Sequence, residues 1–62
     1  MSQLGKEAIE NLKLGVVALE QDYEKFEKGN KAAGTRARNT LQAMKGVCQD
    51  LRVEIQDTKN KE

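Results

Sequence analysis

Lys25-Phe26-Glu27-Lys28-Gly29-Asn30-Lys31-Ala32 is the stretch on which the fold turns. Glycine readily takes the left-handed conformation just past a helix end. Asparagine is among the best residues to cap the start of the next helix. Lys25 and Lys28 stand where the last turn of a preceding helix would be, and cations there suit the helix macrodipole. Gly29–Asn30 therefore reads as a tight connection between two antiparallel helices. The alternative is one continuous helix of about 55 residues with a local irregularity, which demands a long coiled-coil partner.

The flanking segments carry helical periodicity. Upstream, a helix from about 3 to 28 places Ile9, Leu12, Val16, Leu19, Tyr23 and Phe26 at alternating spacings of three and four. Ser2 stands where an N-cap belongs, and Gly15 borders the apolar seam, where a close backbone approach would account for it. Downstream, a helix from about 31 to 58 carries Ala37, Leu41, Met44, Cys48, Leu51 and Ile55 in the same rhythm. The two seams do not share one phase, because continuing the first predicts 33, 37, 40 and 44. The frame slips near Gly29–Asn30, as expected of a break between helices. Residues 57–62 are polar and expected to fray. The expected fold is all-α: one helical-hairpin domain over residues 1–62.

The chain has 62 residues, no proline, two aromatic residues, one cysteine and no histidine. A domain this small buries only about 60% of its unfolded surface. With neither an internal disulfide nor a histidine-cysteine metal site available, association is the expected source of further stability. A homodimer or higher oligomer, such as a four-helix bundle built from two hairpins, follows. Cys48 lies on an apolar row and is expected to pack rather than react. No signal-peptide core or membrane-length apolar run is present, so a cytoplasmic setting is expected.

Net charge is +1, but it is unevenly spread. Residues 1–27 carry −3, residues 28–46 carry +5 with no acid, and residues 47–62 carry −1. Lys31, Arg38, Lys45, Arg52 and Lys59 recur every seven residues, with Thr35, Gln42, Gln49 and Gln56 in the adjacent row. Such a face either lies along a polyanion or pairs with acids on a neighbouring helix. In a hairpin, Glu27 with Lys31 and Glu20 with Arg38 are possible interhelical pairs. Towards the open end the same matching sets Lys13 against Lys45 and Lys6 against Arg52, which are like charges. Pairing thus accounts for about half of the stripe. Near the turn, Lys28, Lys31, Arg36 and Arg38 surround a helix N-terminus, and Thr35 adds a hydroxyl. That chemistry suits phosphate. The near absence of aromatics removes base stacking, so duplex binding with low sequence specificity is the expected mode. The expected phosphate contacts are Lys28, Lys31, Thr35, Arg36, Arg38, Lys45 and Arg52. Catalysis lacks a histidine, a nucleophile with a partner and a phosphate-cradling glycine motif, and no cofactor or metal is implied.

The run Glu27-Lys28-Gly29-Asn30-Lys31-Ala32-Ala33-Gly34-Thr35-Arg36-Ala37-Arg38 resembles the N-terminal region of the bacterial linker-histone-like proteins first known from chlamydiae. Similarity extends from about Leu19 to Lys59. The resemblance implies a nucleoid-associated protein that binds double-stranded DNA and organises the chromosome. The chlamydial proteins continue into a long Lys/Ala-rich tail that this sequence does not show, so binding is expected from the folded part. Two other readings stay open. One is a structural coiled-coil module whose charges only set helix pairing. The other is an RNA-binding hairpin dimer similar in architecture to the plasmid-control protein ROP.

Overall fold

Two helices make up the chain in a computed structural model that describes residues 3–61, with side-chain surroundings for 5–60. α1 spans Gln3–Glu27 (25 residues) and α2 spans Lys31–Lys61 (31 residues). They pack against one another as an all-α hairpin, 50 × 15 × 11 Å across its Cα atoms. No strand occurs among the described residues. The expected N-cap, Ser2, lies outside them. Neither helix is long and apolar enough to cross a membrane.

The reversal is built as the turn residues require. Gly29 has φ +103°, a left-handed value that costs a residue with a Cβ roughly 1–2 kcal/mol. Its N–H donates to the Phe26 carbonyl at 2.9 Å, and the Asn30 N–H reaches back to the Lys25 carbonyl at 3.0 Å. This pair of bonds is the Schellman closure, which satisfies carbonyls that the end of α1 would leave open. Asn30 then starts α2, its side-chain Oδ1 accepting from the Ala33 N–H at 3.0 Å. α2 runs on to Lys61 instead of fraying from residue 57. No glycine or proline follows Gly46, and Gln56 donates to Asn60 at 3.3 Å one turn on.

The helices approach through small residues. Ala33 and Ala37 are buried, at 0% and 5% exposure. The inward row of α1 contains Gly5, Ala8, Leu12, Gly15, Leu19 and Asp22. That of α2 contains Ala33, Ala37, Thr40, Met44, Val47, Leu51 and Glu54. A Cβ built on Gly15 would lie 3.1 Å from Met44 Cγ and Sδ. One on Gly34 would lie 2.6 Å from Phe26 Cδ1, so the ring rests on bare backbone there. Across the helices, Arg36 Nε donates to Asp22 Oδ1 at 3.2 Å, tying the hairpin fourteen residues apart in sequence.

The packed rows keep a frame slip at the turn. Continued past Asp22, the inward row of α1 predicts 33, 36, 40 and 43, whereas α2 packs 33, 37, 40 and 44. Leu41, Cys48 and Ile55 of the expected α2 seam lie one row outward. Each expected seam therefore divides. Leu12, Leu19, Met44 and Leu51 are half-buried between the helices, as is Ile9 near the open end. Val16, Tyr23, Phe26, Leu41 and Ile55 are exposed, at 44, 53, 47, 50 and 59%. Cys48, expected to pack, is exposed as well within the single hairpin.

Glycine substitutions test this packing. Gly46 has open space where a Cβ would go, so Gly46→Ala should raise stability by about 0.5–1 kcal/mol through helix propensity alone. Gly34→Ala should lower it, because the Phe26 ring must swing off the backbone. Thermal melts at one fixed protein concentration measure both. A Gly34→Ala protein as stable as Gly46→Ala would show that the Phe26 contact contributes nothing.

Candidate nucleic-acid interface

Val16, Tyr23, Phe26, Leu41 and Ile55 share one broad face, while the exposed Leu14, Val17 and Val53 line none of its grooves. Val16, Tyr23 and Leu41 line one groove on it. Ile9 and Ile55 line another towards the open end. Near the turn, Tyr23, Phe26, Gly34 and Leu41 line a third. The rings of Tyr23 and Phe26 lie 6.0 Å apart at a 53° tilt, an offset aromatic contact. Cys48 falls midway between Leu41 and Ile55 in the same row.

Charge borders this face differently on its two edges. Along α2 runs the basic stripe: Lys31 and Arg38 beside Leu41, and Lys59 beside Ile55. Lys45 and Arg52 complete the row by seven-residue spacing, and all five residues are exposed. Thr35, Gln42, Gln49 and Gln56 are exposed too, in the row behind. Along α1 the edge carries Glu20 and Glu27, with Glu24 behind them. Lys13 and Lys6 continue that row towards the open end. On the reverse side, at the open end, Glu7, Asp50, Glu54 and Asp57 gather around a groove that Val47, Leu51 and Val53 also line.

The expected phosphate contacts fall into two groups. Lys28 and Arg36 are engaged within the hairpin. Lys28 Nζ lies 3.1 Å from Glu24 Oε1, both exposed to solvent, and Arg36 holds the half-buried Asp22. Lys31, Thr35, Arg38, Lys45 and Arg52 stand together on the stripe. None of the stripe cations forms an ion pair with another described residue. Glu27 and Lys31 do not meet within one hairpin, nor do Glu20 and Arg38, because the outer apolar rows separate the edges that carry them.

The hydrogen bonds at the start of α2 also limit what its N-terminus offers. Ala33's N–H is taken by the Asn30 side chain and Gly34's by the Asn30 carbonyl at 3.4 Å. Lys31 and Ala32 supply the remaining first-turn donors.

One feature escaped the sequence reading. Asp22 is the partner of Arg36, which counting back through the turn at Gly29–Asn30 would have found: Asp22 lies seven residues before Gly29 and Arg36 seven after it. Lys59, read as a member of the row but not among the expected phosphate contacts, is exposed like Lys31 to Arg52.

No curated protein and no solved structure matches the chain. The model of the family described as histone H1-like protein Hc1 matches residues 6–61, which covers both helices and the turn. The chain belongs to the histone H1-like protein Hc1 family.

Proposed function

We propose that this protein binds double-stranded DNA through the α2 stripe, with low sequence preference, and acts in the nucleoid as a chromosome-organising protein. The observation that carries this reading is a row of exposed cations, Lys31, Arg38, Lys45, Arg52 and Lys59, with no acid partner among the described residues. Successive members are seven residues apart, about 10.5 Å on a helix, so the row tracks a long polyanion rather than one small anion. Arginine grips phosphate with paired donors and lysine adds point charge. Thr35 and the glutamines behind the row add neutral donors to phosphate or sugar. Such contacts fix position on the duplex and carry little sequence information. Membership of a histone H1-like family supports the same reading. Lys28 and Arg36 have secondary parts in it, since each already holds a carboxylate.

The second proposed partner is the chain itself. Half-exposed Val16, Tyr23, Phe26, Leu41 and Ile55 on one face of so thin a hairpin favour an oligomer, and a coiled-coil role is thereby part of the same reading rather than its rival.

Replacing Lys45 and Arg52 together by Gln should weaken binding to unrelated duplexes about equally. The slope of log affinity against log salt should become shallower by about 0.9 for each phosphate that is no longer neutralised. Fluorescence anisotropy over a salt series reads both. Arg36→Gln should instead lower hairpin stability by about 1–3 kcal/mol, because it takes the charged partner from the largely buried Asp22 carboxylate, and leave the slope nearly unchanged. A double variant that binds with the parent's affinity and slope would remove the stripe from the reading. Tighter binding to RNA than to DNA would replace the partner.

A further inference from the structure

We infer that the cationic stripe of α2 lies parallel to the axis of a B-form duplex. Lys31 and Arg38 bracket one minor groove, Arg52 and Lys59 bracket the next, and Lys45 stands over the major groove between them. This arrangement rests on the stripe being the DNA-binding surface, as proposed above, and names the form of nucleic acid that fits it.

The stripe runs straight along the hairpin. Its members recur every seven residues, and so does the packed row of Ala33, Thr40, Val47 and Glu54. Two rows of one period keep a fixed angle to each other around the helix, so the cations hold one flank from the turn to the open end. All five are exposed there. Measured along the helix from Lys45, Arg38 and Arg52 stand about 10.5 Å to either side, and Lys31 and Lys59 about 21 Å. End to end the row covers about 42 Å, more than one turn of a B-form duplex at about 34 Å.

That length decides how the row can lie. A groove winds once around the duplex in each turn, so a straight row of this length follows it only near the middle and parts from it at both ends. Along the duplex axis, by contrast, a straight row meets the backbone repeatedly. The grooves are about 12 and 6 Å wide between their walls. Adding about 6 Å for the phosphates and scaling to one turn puts the strands about 20 Å apart across the major groove and about 14 Å apart across the minor groove. An axial line centred over a major groove therefore crosses strands at about 10 Å and about 24 Å on each side.

The inner crossings are the positions of Arg38 and Arg52, and the outer ones lie within about 3 Å of Lys31 and Lys59. Residue type follows the same order. Arginine, whose planar fork holds a phosphate with paired donors, stands where the match is closest. Lysine, whose charge sits about 6 Å from its Cα on a flexible stem, stands where a small offset must be absorbed. Lys45 alone has no strand opposite it. In an A-form duplex the major groove is narrow and the minor groove wide, so the same spacing falls out of step with the strands. The row thereby selects the B form.

Single glutamine substitutions in the full chain test the arrangement, with fluorescence anisotropy over a salt series on a mixed-sequence duplex several turns long. Arg38→Gln, Arg52→Gln and Lys59→Gln should each make the slope of log affinity against log salt shallower by about 0.9 per chain bound. Lys45→Gln should leave the slope unchanged, because the nearest strand is about 10 Å away, beyond a Debye length of about 8 Å. Lys59→Gln compares lysine with lysine. A Lys45→Gln effect equal to or larger than that of Lys59→Gln overturns the axial arrangement and leaves the stripe standing as the DNA surface. An unchanged slope in all four variants removes the stripe, and the arrangement with it. An RNA duplex of equal length bound with as steep a slope as the DNA overturns the selection of the B form.

Discussion

The left-handed backbone at Gly29 is the constraint on which the rest depends. With Gly29 and Asn30 closing the carbonyls of Phe26 and Lys25, and Asn30 capping the next helix, the chain reverses in the three residues between Glu27 and Lys31. A reversal this tight leaves no slack in register. It sets Asp22 level with Arg36 and Gly15 level with Met44, and thereby decides which rows of each helix meet and which remain outside. The charge pattern acquires its meaning only through that register, because it determines how far each cation lies from each acid.

The second determinant is the size of the side chains between the helices. Gly5, Ala8, Gly15, Ala33 and Ala37 let the backbones come close, and close approach pushes the larger Val16, Tyr23, Leu41 and Ile55 to the flank. Burial then falls on small groups, each contributing little transfer free energy at about 25 cal/mol per Å2. A hairpin packed this way is held by its turn, the Asp22–Arg36 ion pair and a narrow core, while much of its apolar surface remains outside. The result is a close inner contact beside an uncovered outer apolar face.

Much of this was legible in the sequence, and what was not has a specific cause. Gly29 and Asn30 announced the turn because their chemistry is local: one backbone conformation and one side-chain cap. The helices were legible from the three-four spacing of apolar residues. Which of those residues face inward was not, since a scan for hydrophobic periodicity passes over glycine, alanine, Thr40 and Asp22, the groups that permit the close approach. The stripe from Lys31 to Lys59 was legible as a row at fixed period, and it is exposed as a row. The engagement of Lys28 with Glu24 and of Arg36 with Asp22 was missed for two reasons. The first is a short-range pair that competes with any external anion, and the second becomes a neighbour contact only once the register is fixed.

The distribution of charge differs between the two flanks. On α1 the acids Glu20 and Glu27 stand near the turn and the cations Lys13 and Lys6 towards the open end, whereas the stripe on α2 is cationic along its whole length. The turn end therefore carries both signs, and the open end carries cations on both flanks. With a Debye length of about 8 Å at physiological ionic strength, neighbouring stripe cations, about 10.5 Å apart along the helix, are largely screened from one another. The row thus costs the fold little in self-repulsion, and its regular spacing is a property of the surface rather than of the packing between the helices.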